Sequence, residues 1–286
     1  MDLMEHHDIK RTRREPIFNV PAIVLILIAV LVAISVVMYG LDEETSAEIL
    51  LAYGFVPADW ASWLGIDALT PVIDAARLSP DDPYLSSLAE LAAYLKLHPG
   101  HGPVTALTYA FLHGGFEHVG MNSIWLLAFG TPVAQRLGAV RFLALFMISA
   151  LGGAALHFVV HPSELMPLVG ASGAIAGIMA GAVRFMFQPG EPLSGFALPR
   201  DSVVRIPHMP LRRLIRDPRP LRFILLWIAV NIVTGLVGAP FMSSVGSIAW
   251  EAHLGGFFAG LFAFSLIDPP VEMPDDETQK LHDHLS

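Results

Sequence analysis

The sequence predicts an all-α membrane protein with six transmembrane helices and a long first extracytoplasmic loop. Hydrophobic residues make up 54% of the 286 residues and charged residues only 15%, which is unlike a soluble globular chain. The apolar residues also gather into separate stretches, and about 20 helical residues are enough to cross a bilayer. Because the chain has no cysteine, disulfides, thiolate metal sites and a cysteine nucleophile are excluded.

The first apolar stretch, residues 20–39, carries no charged side chain. Four basic residues precede it: Lys10, Arg11, Arg13 and Arg14. A cleaved signal peptide would also have a basic start, but this stretch is too long for one and lacks a small-residue cleavage site. We therefore predict a cytoplasmic segment over residues 1–17, followed by a membrane domain over residues 18–268.

Residues 41–100 form a long connection rich in acidic residues and interrupted by prolines. Apolar side chains recur in it at intervals of three or four, among them Trp60 and Trp63. This spacing favours short amphipathic helices at the membrane interface. A solvated loop packed on itself is the alternative.

Further apolar stretches follow, and the charges between them set the orientation. They lie at residues 116–136, 142–160, 171–188, 221–238 and 248–267. If the N-terminus is cytoplasmic, all of the 17 basic residues except Arg77 and Lys96 lie on the cytoplasmic side, as the positive-inside rule requires. Both termini, including an acidic tail over residues 269–286, are then cytoplasmic.

The charge distribution also bears on partners. The arginine-rich linker between the fourth and fifth stretches either contacts anionic lipid or only enforces orientation. The net charge of −9 and the separation of the two signs along the chain give no support for nucleic-acid binding. A basic start with no further leading span favours a bacterial inner membrane over an organelle.

Two polar residues in apolar stretches carry the functional prediction. Ser172 begins the fourth stretch and His253 lies near the start of the sixth, so the topology puts both near the outer surface. Polar groups at membrane depth usually face a protein interior or a water-filled cavity. A serine needs an adjacent base to become a nucleophile, and this pair therefore predicts peptide-bond hydrolysis.

Small residues on the same two stretches predict close helix packing. Glycines recur every four residues: Gly173, Gly177 and Gly181 on the fourth stretch, Gly256 and Gly260 on the sixth. Such faces let two helix backbones approach each other, which would bring Ser172 and His253 together. Ordinary packing without chemistry is the alternative for the glycines alone.

Stabilisation of a tetrahedral intermediate needs hydrogen-bond donors. His118 and Asn122 are four residues apart and share one face of a helix, and the Ser172 backbone N–H lies at a helix N-terminus. Glu251 points to another side of its helix from His253 and Asp268 lies at the far end, so we predict a Ser–His dyad rather than a triad.

His157 and His161 have a spacing that could hold a metal. The sequence offers no third ligand, and interfacial packing is the favoured interpretation. We predict no metal and no cofactor.

Together these residues resemble the rhomboid family of intramembrane serine proteases. The resemblance rests on Gly170-Ala171-Ser172-Gly173, on His113 with His118 and Asn122, and on Ala252-His253 followed by Gly256 and Gly260. It implies that Ser172 is the nucleophile and His253 the base. It also implies that His118, Asn122 and the Ser172 amide form the oxyanion site, and that His113 is a structural support at the entrance of the second span.

The resemblance further implies six helices around a water-filled cavity that opens to the outside. It implies substrates that are single-span membrane proteins, cut near the outer end of a helix that unwinds easily. The loop over residues 239–247, with Phe241 and Met242, could cap the cavity.

Two positions depart from the family pattern. Many bacterial relatives carry a tyrosine one turn after the nucleophile that stacks on the base, where this chain has Ala176. The Trp-Arg pair common in the first loop is also missing, since Trp60 and Trp63 are followed by Ala61 and Leu64. Rival functions are a non-catalytic membrane chaperone or adaptor that binds transmembrane helices, and a small transporter.

Overall fold

A computed structural model describes residues 20–187, 207–237 and 249–270 of the chain, and these residues are almost entirely helical. The α-helices are α1 (Ala22–Tyr39), α2 (Glu43–Tyr53), α3 (Pro57–Trp63), α4 (Thr70–Leu78), α5 (Pro83–Leu97), α6 (Thr105–Thr108), α7 (Phe116–Trp125), α8 (Thr131–Val160), α9 (Ser172–Met186), α10 (Leu211–Leu214), α11 (Pro218–Val237) and α12 (Trp250–Ile267). Single 3₁₀ turns flank α6 at Gly102–Val104 and Tyr109–Phe111, and a π-helical turn over Leu126–Gly130 joins α7 to α8.

Four helical segments in the described part of the chain are long and apolar enough to cross a membrane. They are Ala22–Tyr39, Phe116–Val160, Pro218–Leu236 and Trp250–Ile267. The second of these contains the second and third predicted stretches, which follow each other without a long loop. The fourth stretch forms α9, whose 15 residues are fewer than the roughly 20 that span a bilayer.

The segment Phe116–Val160 changes direction at Gly138, whose φ of 74° and ψ of 170° interrupt the helix. Positive φ favours glycine because a Cβ is strained there. Asn122, before the turn, lies next to Gly170 at the Ser172 end of the bundle. Arg136 binds Asp268, which follows the last residue of α12, at the other end of the bundle. After the turn, His157 reaches Glu251 in the first turn of α12, so the chain crosses the bundle and returns.

The returning part of α8 packs with α9 and α12 to form the centre of the molecule. Every residue of α9 from Gly173 to Phe185 is buried, which explains why this helix has no polar face except at its ends. Arg184, at its last turn, is buried and donates to the carbonyls of Met209 and Leu261.

A buried ion pair fixes the end of the bundle away from Ser172. Arg136 Nε and Asp268 Oδ1 are 2.6 Å apart, with both side chains 1% exposed. His208 Nδ1 lies 2.7 Å from the second oxygen of Asp268. The Arg136 guanidinium also lies 5.0 Å from the ring centre of Phe185, a cation–π distance. One carboxylate therefore joins α8 and α12 to the segment that precedes α10.

The first loop packs on the Ser172 end of the bundle. Phe55 pairs with Leu168 in an isolated β-bridge, and the Ala58 N–H donates to the Glu164 carbonyl at 3.0 Å. The loop holds α2 to α5, in the region where the sequence predicted short helices.

Two tryptophans of the first loop, Trp60 and Trp63, both contact Gly102. The Trp60 indole N–H donates to the Gly102 carbonyl at 3.0 Å. Gly102 has a φ of +58°, and the ring of Trp63 fills the space that a Cβ there would need. Loop anchoring is thus achieved here without the Trp-Arg pair.

Several predicted features lie outside the described residues. They are the N-terminal segment, the cap with Phe241 and Met242, and the acidic tail from residue 271 onwards.

The Arg136–Asp268 pair makes a prediction about stability. Replacing Arg136 with alanine leaves the buried Asp268 carboxylate without its cation, and we expect a loss of about 3 kcal/mol. This loss should appear as a lower midpoint of thermal unfolding in detergent, followed by circular dichroism. Arg77→Ala is the control, because Arg77 and Asp74 form an exposed ion pair worth about 1 kcal/mol or less. Equal midpoints for the two variants would contradict the prediction.

Candidate active site

The local backbone places Ser172 at the first position of α9. Gly170, two residues earlier, has a φ of +115°, and a Cβ there would lie 2.6 Å from the imidazole of His118. Only glycine suits both the conformation and the contact. The turn at Gly170 therefore presents Ser172 with its N–H among the unpaired amides that begin a helix.

His253 lies in the first turn of α12, which the glycines bring against α9. A Cβ at Gly256 would overlap the Gly173 carbonyl, and one at Gly260 would overlap the backbone of Gly177. The two predicted glycine faces thus lie directly against each other, and the helix backbones touch.

This contact brings the two candidate catalytic side chains within hydrogen-bond reach. The Oγ of Ser172 and the Nε2 of His253 are 2.7 Å apart, and both residues are half-buried. A serine hydroxyl at this distance from an unprotonated imidazole nitrogen can transfer its proton as the oxygen attacks an electrophile.

A third residue, Asn231 of α11, was not predicted. Its Oδ1 lies 2.7 Å from His253 Nδ1, and its side chain is buried. The signal that selects Ser172 and His253, a polar residue in an apolar stretch, also selects Asn231. What the sequence lacks is the angle of α11 about its own axis, which decides whether Asn231 faces the base.

Both acidic residues of the last helix and its C-terminal end, Glu251 and Asp268, pair with groups other than His253. Glu251 Oε1 lies 2.7 Å from His157 Nδ1 and 3.4 Å from His161 Nε2, and Asp268 pairs with Arg136. His157 and His161 thus hold a buried carboxylate that turns away from His253.

His118 and Asn122 both lie against Gly170, beside Ser172. The Nδ2 of Asn122 would be 3.7 Å from a Cβ at Gly170. This amide nitrogen is buried and has no hydrogen-bond partner among the described residues. Buried donors are nearly always paired, so an unpaired one beside the serine is suited to donate to a charged oxygen of a substrate.

His113 supports this group from behind. Its ring meets that of His118 edge to face at 5.0 Å, and its Nε2 lies 3.5 Å from the Ala171 N–H. Burial lowers the pKa of His113, and the nearby His118 lowers it further. His113 is therefore neutral near pH 7 and can accept from the backbone that leads into Ser172.

Ala176, where a tyrosine is common in relatives, lies in an apolar cluster with Phe257 and Leu261. Phe257 stacks on Trp227 of α11, with ring centres 4.8 Å apart. The space one turn beyond the nucleophile is therefore part of the contact between α9, α11 and α12.

Comparisons with known proteins agree with the resemblance. The family described as the Rhomboid domain matches residues 101–268. RHOMBOID-like protein 5 of Arabidopsis thaliana is 26% identical over 238 residues, which cover 83% of this chain and 64% of that protein. Rhomboid protein 1, mitochondrial, of Saccharomyces cerevisiae is 29% identical over 59% of this chain and 43% of its own length.

A bacterial relative gives the same picture. The protein named Rhomboid protease GluP of Bacillus subtilis is 29% identical over 57% of this chain and 26% of its own length. This chain thus spans less than two thirds of the length of these three relatives.

The glycine contact is testable by adding one methyl group. In Gly256→Ala the new Cβ would overlap the Gly173 carbonyl, so α9 and α12 must separate, at a cost of about 1–3 kcal/mol. We expect a lower midpoint of thermal unfolding and slower reaction of Ser172 with a fluorophosphonate. Gly120→Ala is the matched control, since a Cβ there meets nothing within 4 Å. Unchanged reactivity in Gly256→Ala would show that the close approach is not needed.

Proposed function

The chain belongs to the rhomboid family, and on that premise we propose that it is an intramembrane serine endopeptidase that uses a Ser172–His253 dyad. It is an integral membrane protein, and relatives named as proteases occur in its family. The observation that carries the proposal is the 2.7 Å contact between Ser172 Oγ and His253 Nε2, made where an unpaired amide donor lies close by.

Acylation follows from that contact. The Ser172 oxygen attacks the carbonyl carbon of the scissile peptide while its proton passes to His253 Nε2. The carbonyl oxygen becomes an oxyanion, which accepts from the Ser172 N–H, Asn122 Nδ2 and His118. When the C–N bond breaks, His253 gives the proton to the departing amine, and the acyl group remains on Ser172.

Deacylation reverses the roles of the same groups. Water gives a proton to His253 Nε2 and adds to the acyl carbon, and the same three donors stabilise the second oxyanion. When the bond to Ser172 breaks, the proton returns to its oxygen. The cycle consumes one water and needs no cofactor.

The proposed substrates are single-span membrane proteins cut near the outer end of a helix. In a helix the peptide carbonyls are hydrogen-bonded to N–H groups of the same segment, so a substrate helix must unwind before Ser172 can reach one. This requirement favours segments that open easily. Ser172 at the end of its helix, rather than in the middle, fits cleavage close to the membrane surface.

We propose six crossings, with both termini in the cytoplasm and the site opening to the other side. The first loop, which contains Arg77 and Lys96, packs on the Ser172 end, whereas Arg136 and Arg184 lie at the opposite end. This arrangement supports the orientation expected from the positive-inside rule. We propose a bacterial inner membrane as the location.

The dyad favours hydrolysis over the two rivals. A transporter path or a helix-gripping surface needs polar or small residues, but neither needs a hydroxyl placed on an unprotonated ring nitrogen. Labelling with a fluorophosphonate in detergent separates them. We expect the wild type to be labelled and both Ser172→Ala and His253→Ala to lose the label. Equal labelling of wild type and Ser172→Ala would reject the proposal.

The oxyanion site makes a separate prediction. Asn122→Ala removes one donor to the developing charge, and we expect cleavage of a single-span substrate in liposomes to slow by about 10²–10³-fold in kcat. Ser123→Ala is the control, because its hydroxyl bonds the Val119 carbonyl within the same helix and we expect a change of less than about threefold. Similar losses in the two variants would mean that helix α7, and not the amide, was damaged.

A further inference from the structure

The base His253 is held at both ring nitrogens by two different helices. Nε2 faces Ser172 of α9 and Nδ1 faces Asn231 of α11, each at 2.7 Å. A neutral imidazole has one donor and one acceptor nitrogen. Whatever Asn231 presents to Nδ1 therefore decides whether Nε2 can take a proton from Ser172.

The amide orientation follows from its other contact. Asn231 Nδ2 donates to the Trp227 carbonyl of its own helix at 2.8 Å. Turning the amide over would set its oxygen against that carbonyl oxygen, so Oδ1 must be the atom that faces His253. Oδ1 can only accept, which places the proton of the neutral ring on Nδ1 and leaves Nε2 free to act as the base.

The packing around Asn231 keeps this geometry in place. One turn before it, Trp227 stacks on Phe257, which lies one turn after His253 on the facing helix. The hydrogen bond and the ring stack form two successive layers between α11 and α12.

Other groups near His253 do not supply this orientation. Glu251, on the same helix, is paired with His157 and His161 of α8, and His118 of α7 contacts Gly170. Ala176 has no ring to stack on the base. Asn231 is therefore the group, among the described residues, that bonds the second nitrogen of His253.

We propose that Asn231 is a positioning residue: its side-chain oxygen fixes the tautomer and orientation of His253 from α11. The inference rests on the proposed Ser172–His253 chemistry and adds a third member to it. The member is an amide, and so it accepts a hydrogen bond without adding a negative charge.

The test uses the full chain in detergent and measures the second-order rate constant for reaction of Ser172 with a fluorophosphonate between pH 5 and pH 9. In this reaction Ser172 Oγ bonds to phosphorus, fluoride leaves, and the hydroxyl proton passes to His253. We expect Asn231→Ala to lower the plateau rate constant by about 10–100-fold, as loss of a group that orients a functional histidine does at metal sites. Thr234→Ala is the matched control on the same helix, because its hydroxyl bonds the Val230 and Asn231 carbonyls, and it should react like the wild type.

The pH dependence of this rate constant shows whether Asn231 acts on the protonation of His253 or only on the packing of α11 against α12. In Asn231→Asp a carboxylate would face Nδ1 and stabilise the protonated ring, so the acidic limb of the profile should move to higher pH by about 1 unit or more. Trp227→Leu removes the ring stack without changing the charge beside His253, and its limb should stay where the wild-type limb is.

A spectroscopic measurement does not depend on activity. In ¹⁵N-histidine-labelled wild type, His253, assigned by comparison with His253→Ala, should show a protonated Nδ1 and an unprotonated Nε2. The opposite tautomer would overturn the inference, and so would equal rate constants for Asn231→Ala and Thr234→Ala. Those results leave Ser172-dependent labelling in place, whereas a wild type that is not labelled at Ser172 would defeat the proposed function itself.

Discussion

The contact between the glycine faces of α9 and α12 is the constraint on which the rest of the structure depends. A Cβ at Gly177, Gly256 or Gly260 would overlap a neighbouring atom, and one at Gly173 would lie 3.1 Å from the Ala252 carbonyl oxygen, so α9 and α12 touch along their backbones. The hydrogen bond between Ser172 and His253 is made where this contact begins.

The buried charged groups of the bundle lie at the two ends of this contact. At one end the carboxylate of Asp268 joins Arg136 and His208. At the other, Glu251 joins His157, and His113 and His118 pack beside Ser172. Each carboxylate has a basic partner, as burial requires. Asn122 Nδ2 is one of three buried side-chain atoms with no partner among the described residues, and an unpaired donor beside Ser172 suits a site for a transient oxyanion.

Much of this could be predicted from the sequence, and what could not has a physical reason. Long apolar stretches predict membrane helices because the rise per helical residue and the thickness of the bilayer are both fixed. Ser172 and His253 stand out in these stretches because polar groups are costly at membrane depth. The pairing of Arg136 with Asp268, 132 residues apart, depends on how the helices are arranged, which periodicity does not encode. The same is true of Asn231, since an amide in an apolar helix is visible in the sequence but its partner is not. The 15-residue α9 is shorter than the stretch predicted for it, because the helix begins at Ser172 after the turn at Gly170 and ends before Phe187.

The position of Asn231 on α11 has a consequence for how the site works. Most large side chains of α11 that are exposed are apolar, such as Leu225, Val230 and Leu236, so much of this helix faces away from the bundle. Its contacts with α12 include Trp227 against Phe257, Asn231 against His253 and Gly235 against Trp250. A movement of α11 of about 1 Å would lengthen the hydrogen bond to Nδ1 beyond the usual range, while leaving the glycine contact between α9 and α12 intact. Ser172 and His253 are therefore brought together by the contact of α9 and α12 at the centre of the molecule, whereas the second hydrogen bond of His253 comes from a helix at the edge.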